Sequence, residues 1–239
     1  MSQLKVKDIG SSEDSCFKLF EKRGFRMCTD IGDADIVVFN GGADIGTEIY
    51  NQKLVTSRIF NEDGNVLLAS EPSYMSARDK QEILLYKRAK ALGKFIVGVC
   101  RGAQLINCLE GGTLWQHVNN HNTSHAILDL KTNIIWRSTS VHHQMMRPPK
   151  NADIIAVASE ATFKIDAQEQ KRLKNFDRPL DQGDDPEVVW FKDARALCVQ
   201  GHPEYAPESL FADYFFDLVD GLYAHGVWPP QKAASVAAL

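Results

Sequence analysis

The chain lacks any apolar run approaching the ~20 residues that cross a bilayer, so no transmembrane helix is expected. Its opening residues, Met1-Ser2-Gln3-Leu4-Lys5-Val6-Lys7-Asp8, lack the apolar stretch of a secretory signal. An excess of positive charge is also missing. Lys and Arg number 27 against 31 Asp and Glu, a net charge of -4, which gives no ground for gripping nucleic acid or an anionic membrane. Cysteine is scarce. Five residues with no close pairing pattern suit a reducing compartment rather than a disulfide framework, and a cytoplasmic protein is expected. No internal repeat and no linker-like stretch interrupts the chain, so residues 1–229 read as a single domain and 230–239 as a frayed tail. The chain's 239 residues, 44% hydrophobic and 24% charged, suffice for one α/β domain with a substantial core.

The stretch that organises the rest is Phe95-Ile96-Val97-Gly98-Val99-Cys100-Arg101-Gly102-Ala103-Gln104. Its first half reads as a buried strand. Leu105, Ile106 and Leu109 then recur at helical spacing. Cys100 thus falls on a strand-to-helix turn with Gly98 and Gly102 on either side, the pattern of a nucleophile elbow. A thiol at a helix N-terminus is biased towards thiolate by the helix dipole.

Strand and helix signals alternate up to this point. Leu4 to Ile9 reads as a first strand. Ser11 or Ser12 could cap a helix from Glu13, with Cys16, Leu19 and Phe20 as its apolar stripe and Gly24 as its stop. Phe25 to Cys28 reads as a short strand and Ala34 to Phe39 as a buried one, ending in Asn40-Gly41-Gly42-Ala43-Asp44. Turn signals fill Phe60 to Val66. Ser76 and Asp79 form a capping box for a helix from Ala77 to Leu92, with Ile83, Leu84 and Ala91 as its apolar side and Gly93 as its stop. This order implies a parallel sheet wrapped by helices.

After Gly111-Gly112, Ala126 to Arg137 and Ile154 to Ala158 read as strands, with Ser140-Val141-His142-His143-Gln144 between them. Gln168 to Asp185 reads as a surface loop. Val188–Phe191 and Ala196–Gln200 read as a hairpin around Asp193-Ala194. Pro207 is expected to open a last helix with Leu210, Phe211, Tyr214, Phe215, Leu218 and Leu222 as its apolar residues.

His202-Pro203-Glu204 supplies partners for the thiol. Pro203 favours extended geometry at His202, and residues two apart in an extended segment face the same way. The Glu204 carboxylate then orients the His202 imidazole, which serves Cys100 as base and then acid. The backbone N–H of Arg101, just after the nucleophile, is one oxyanion-hole donor. The N–H of Gly42, after the neighbouring strand, is the second.

These motifs together resemble a class I glutamine amidotransferase, and more closely its gamma-glutamyl hydrolase-like branch. Further stretches carry the resemblance: Gly41-Gly42-Ala43-Asp44-Ile45 with Tyr50, Arg78-Asp79 with Glu82, Gly111 to Gln116, Ser140-x-His142-His143-Gln144 and Gly201 to Glu204. They span about residues 36–205. The branch usually has Met where Ala103 stands. The resemblance implies a flavodoxin-like, mainly parallel sheet with helices on both faces. It implies a gamma-glutamyl thioester on Cys100, released by water as glutamate. It also implies that Gly41, Gln104, Ser140, His142, His143 and Gln144 hold the glutamyl group.

Several blander readings stand beside these. Cys16, Cys108 and Cys198 read as core thiols and Cys28 is undecided. His142-His143 also reads as an ordinary pair of loop histidines. His117, His121 and His125 would stack on a helix at i, i+4 and i+8, but Asn119, Asn120, Asn122, Thr123 and Ser124 favour a loop, so no metal site is expected. No cofactor is expected either. The substrate is glutamine or a gamma-glutamyl conjugate of a small amine. The alternatives are a glutaminase subunit delivering ammonia to a separate synthetase, or a non-catalytic glutamine-binding subunit. Weaker still is a thiol redox protein on a related fold. A homodimer is compatible with all of them.

Overall fold

The computed structural model describes residues 4–10, 16–60, 66–71, 73–118, 120–158, 164–165 and 185–229. Its strands are β1 (Lys5–Ile9), β2 (Arg26–Met27), β3 (Ile36–Phe39), β4 (Leu54–Phe60), β5 (Val66–Glu71), β6 (Phe95–Val99), β7 (Thr113–Trp115) and β8 (His117–Val118). They continue with β9 (His125–Asp129), β10 (Ile135–Ser138), β11 (Met145–Arg147), β12 (Asp153–Ala158), β13 (Lys164–Ile165), β14 (Pro186–Phe191) and β15 (Ala196–Val199). The α-helices are α1 (Cys16–Lys22), α2 (Ala77–Ala91), α3 (Arg101–Leu109) and α4 (Leu210–His225).

Every residue of β3, β6 and β15 is buried, as expected for strands covered on both faces. Alternation along them sorts the side chains. Ile36, Val38, Phe95, Val97 and Val99 pack on one face with Leu19 and Phe20 of α1 and Phe211 and Phe215 of α4. Val37, Phe39 and Ile96 pack on the other with Tyr86 and Ala89 of α2 and Ala103 and Ile106 of α3. Helices therefore cover both faces. The main sheet has nine strands in the order β10-β9-β12-β14-β15-β6-β3-β1-β2. Neighbours from β2 to β15 are parallel, and neighbours from β15 to β10 are antiparallel. β15 is the seam, and the elbow follows β6 beside it. The expected hairpin is β14–β15, turning at Lys192–Arg195.

Local expectations differ from the structure in three places. The Ser76–Asp79 capping box forms as expected, with Ser76 Oγ accepting from Asp79 N–H at 3.0 Å and Asp79 Oδ2 accepting from Ser76 N–H at 2.8 Å. The inward face of α2, however, is Asp79, Glu82, Tyr86 and Ala89, while Leu84 and Ala91 are exposed. The two carboxylates turn inward because a buried guanidinium meets them. Secondly, Ala126–Arg137 is not one strand. Asp129 Oδ1 accepts the N–H groups of Lys131 and Thr132 at 2.8 and 2.9 Å, and Asn133 takes φ +58°, which folds the segment into the β9–β10 hairpin. Thirdly, α4 starts at Leu210 rather than at Pro207. Ser209 caps it by accepting from Ala212 N–H at 3.2 Å, and Leu210 stays exposed. The expected caps at Ser11 or Ser12, the start at Glu13, the turn within 61–65, the loop over 168–184 and the tail at 230–239 lie outside the described residues.

Candidate active site

Cys100 sits between β6 and α3 with φ 50° and ψ -110°, a backbone conformation that costs energy for any residue with a side chain. The flanking glycines are required by close approach. A Cβ at Gly98 would stand 2.7 Å from the Ala103 nitrogen, and one at Gly102 would stand 2.1 Å from the Phe39 carbonyl oxygen. The elbow therefore presses its helix directly onto β3 and β6.

β15 pairs with β6 in register, Val199 opposite Val99, so the residues after β15 arrive beside Cys100. His202 is among them, and its Nδ1–H donates to Glu204 Oε1 at 2.7 Å. The pair forms differently from the sequence expectation. Pro203–Tyr205 is a short 3-10 turn, so the carboxylate reaches back to the ring through a turn rather than along an extended segment. Tyr205 stacks on the imidazole with ring centroids 4.3 Å apart and planes 7° apart, which fixes its tilt. A hydrogen bond from His202 N–H to the Thr139 carbonyl at 2.7 Å anchors the backbone.

Gly41 marks where these parts meet. A Cβ there would lie 2.9 Å from His202 Cε1 and 3.6 Å from Cys100 Cβ. His202 Nε2 carries no hydrogen bond of normal geometry, to the sulfur or to any other group. The sulfur is nonetheless within electrostatic reach. Burial works against charging this ring, but the nearby Cys100 sulfur and the hydrogen-bonded Glu204 carboxylate prevail and raise His202 from 6.5 to about 10. A value this high favours the protonated ring at neutral pH.

The Gly41-Gly42 loop is held from below by charge. The Arg101 guanidinium is 2% exposed and bonds the Asp79 and Glu82 carboxylates of α2. Arg78 Nε donates to Glu82 Oε1 at 2.7 Å, and the same guanidinium donates to the Gly41 carbonyl at 3.0 Å. Elbow, helix and loop are thus tied into one network. Gly42 takes φ +147°, and a Cβ there would strike Arg78 at 2.3 Å and approach Arg101 Cδ to 3.5 Å. Gly42 therefore packs against the Arg78 and Arg101 side chains. The Arg101 N–H lies in the first turn of α3, where no intrahelical acceptor reaches it.

The other expected site residues divide. Gln104 and Gln144 meet, the Gln104 Nε2–H donating to the Gln144 carbonyl at 3.1 Å, and both side chains are buried. His143 is largely exposed, and its Nε2 lies 2.9 Å from Asp44 Oδ2 on the loop after β3. Ser140 and His142 point elsewhere. Ser140 Oγ–H donates to the His121 carbonyl, and His142 is buried with Nε2 aimed at Glu187. Sequence reasoning gave no role to the Arg78–Glu82–Arg101 network, although the i, i+4 spacing of Arg78 and Glu82 was a usable signal. Nor did it set Cys16 against Glu204. Burial first, then the Glu204 and Asp8 charges, raise the Cys16 thiol and keep it neutral behind the His202–Glu204 pair. Cys108 and Cys198 are buried as expected, and Cys28 is half-buried.

The architecture, with a strand-to-helix cysteine at the centre of a sheet covered on both faces, is that of class I glutamine amidotransferases. A glutamine amidotransferase of Thermotoga maritima superposes with a TM-score of 0.56 at 12% identity, covering 95% of this chain and 87% of that one. A GMP synthase subunit-like protein of Thermoplasma acidophilum gives 0.57 at 12% identity, covering 94% and 96%. Residues 26–204 match the peptidase C26 family, and the chain belongs to it. Among curated relatives, the glutamine amidotransferase-like protein YvdE of Lactococcus lactis is 26% identical over 197 residues, 80% of this chain and 74% of that protein.

Proposed function

We propose that the protein hydrolyses a gamma-glutamyl amide through a thioester on Cys100, as gamma-glutamyl hydrolases do. The reading rests above all on Gly41, where a Cβ would stand 2.9 Å from the His202 ring and 3.6 Å from Cys100 Cβ, so thiol, imidazole and glycine loop converge on one point. The sulfur attacks the amide carbonyl and a C–S bond forms. The oxyanion is held by the Gly42 and Arg101 N–H groups. The His202 imidazolium gives its proton to the leaving amine as the C–N bond breaks. Water then attacks the thioester, His202 takes up the water proton, and glutamate leaves as sulfur is restored. Glu204 holds the ring in the tautomer that leaves Nε2 facing sulfur.

His143 and Asp44 lie at the exposed margin of the loop and are assigned to the substrate's polar end, while Gln104 and Gln144 act by shaping the wall beside α3. The test is turnover on glutamine and on a panel of gamma-glutamyl amides. Activity on conjugates is expected. Activity confined to glutamine would favour ammonia delivery to a separate synthetase, a reading supported by the likeness to the GMP synthase protein. Replacing Cys100→Ala is expected to abolish both turnover and the glutamyl adduct seen by intact-mass spectrometry. Retained activity would remove the mechanism.

A further inference from the structure

A second constellation of chemistry-bearing side chains lies outside this site. His121, His125, His142 and Glu187 are all buried, and one ligand-type atom from each falls within 4.8 Å of every other. His125 opens β9, His142 lies on the segment before β11, and Glu187 is on β14. Glu187 Oε1 faces three imidazoles: His121 Nδ1 at 3.0 Å, His125 Nε2 at 3.0 Å and His142 Nε2 at 3.4 Å.

The hydrogen positions follow from the partners. His125 Nδ1 meets the Thr123 carbonyl at 3.0 Å and His142 Nδ1 meets the Gln144 carbonyl at 2.8 Å. A carbonyl only accepts, so both Nδ1 atoms carry hydrogen. In the neutral rings each Nε2 then presents a lone pair to a carboxylate oxygen. That arrangement is repulsive unless something positive sits between. Protons alone are a poor answer. Several imidazoliums would be packed in a buried space, with the His121 ring centroid 4.6 Å from that of His125 and 4.8 Å from that of His142. His142 Nε2, Glu187 Oε2 and both nitrogens of His121 are buried without a hydrogen-bond partner. Groups in this state call for a partner, and a cluster of nitrogens and carboxylate oxygens around one point calls for a cation.

We propose that His121, His125, His142 and Glu187 bind a zinc ion. Three imidazole nitrogens and one carboxylate oxygen form a borderline-soft set that suits zinc. Bonds of about 2.0–2.2 Å in a tetrahedron put neighbouring ligand atoms about 3.3–3.6 Å apart, close to the 3.0–3.4 Å found around Glu187. The outer partners fit as well. The carbonyls that hold the far nitrogens of His125 and His142 are the supports that orient metal-bound imidazoles. Asp185 Oδ2 lies 3.9 Å from His121 Nε2, the far nitrogen of the third ring, and adds negative charge beside it. A divalent ion with the Glu187 and Asp185 carboxylates is electrically neutral.

With four protein ligands and full burial the site is structural. It clamps β14 to the start of β9 and to the segment whose Gln144 carbonyl holds Gln104. The sequence reading set His121 and His125 aside because their segment is not helical. The segment is indeed not helical, but a loop return into β9 brings the two rings together all the same.

The experiment is metal analysis of the full chain purified without chelator, followed by chelation and titration with Zn2+ and with Co2+. A Cys100→Ser form, titrated in parallel, removes the thiol as a competing ligand. One zinc per chain, d–d absorption bands of tetrahedral Co2+, and a rise in melting temperature on adding Zn2+ are expected in both forms. Glu187→Gln and His125→Gln should lose the Co2+ bands. Should either variant fail to fold, the Cys100→Ser titration decides alone. A folded apo-protein that takes up neither ion, or takes one up only when Cys100 is present, would overturn the proposal.

Discussion

At the scale of single residues, His202 is the proposed acid–base group and also carries a pH-dependent share of stability. Its folded value of about 10 lies above the ordinary 6.5. The contribution is therefore complete below about pH 6.5 and is lost as pH rises through about 10. Unfolding free energies of the wild type and of His202→Gln should converge across that window in urea titrations at stepped pH. A gap that stays constant to alkaline pH would contradict the assignment. Gly41→Ala should separate geometry from stability. The added methyl meets His202 Cε1 at 2.9 Å, and displacing a catalytic ring by about 1 Å costs turnover on the order of 100-fold. Steady-state rates should fall while the melting temperature changes little. Much of this site was legible in the sequence, because Gly98-x-Cys100-x-Gly102 and His202-Pro203-Glu204 are local patterns whose residue types have few other uses together. His142 was misplaced, since which partner a buried imidazole faces depends on a strand 45 residues away, at Glu187, and no spacing records that.

Among elements, α2 departs furthest from a simple apolar pattern. Its buried carboxylates are partners for Arg101, so removing one leaves charge stranded. Glu82→Ala should cost about 3–5 kcal/mol by denaturant unfolding. Leu84→Ala, on the exposed side of the same helix, should stay within about 0.5 kcal/mol. Equal losses would mean that α2 is held by its leucines instead. The β9–β10 hairpin hangs on Asp129 in a comparable way. Besides the two turn N–H groups, it accepts from Tyr214 Oη–H and Trp228 Nε1–H at 2.8 Å each, tying the hairpin to α4 and the segment beyond it. Asp129→Ala orphans these donors together, and a loss of about 3 kcal/mol or more is expected. Periodicity could not reveal either element. A charged residue reads as solvent-facing until its partner is known, and Leu130 to Ile134 is apolar enough at both ends to pass for a continuing strand. The capping box was legible because it is closed within four residues.

Across the whole molecule, the sheet joins a parallel half that carries the elbow to an antiparallel half that carries Glu187. The alternation of strand and helix signals up to Cys100 made the first half readable. In the second half, pairing order is decided by long-range closure rather than by neighbouring residues, and the β10-β9-β12-β14 succession had no local signature. The position of β15 has a consequence for how the molecule is made. This strand belongs between β6 and β14, yet it is the last to be synthesised. Until it slots in, β6 keeps a bare hydrogen-bonding margin, and the thiol emerges about 100 residues ahead of its proton carrier. On the proposed mechanism, a nascent chain cannot hydrolyse its substrate until the closing strand is in place.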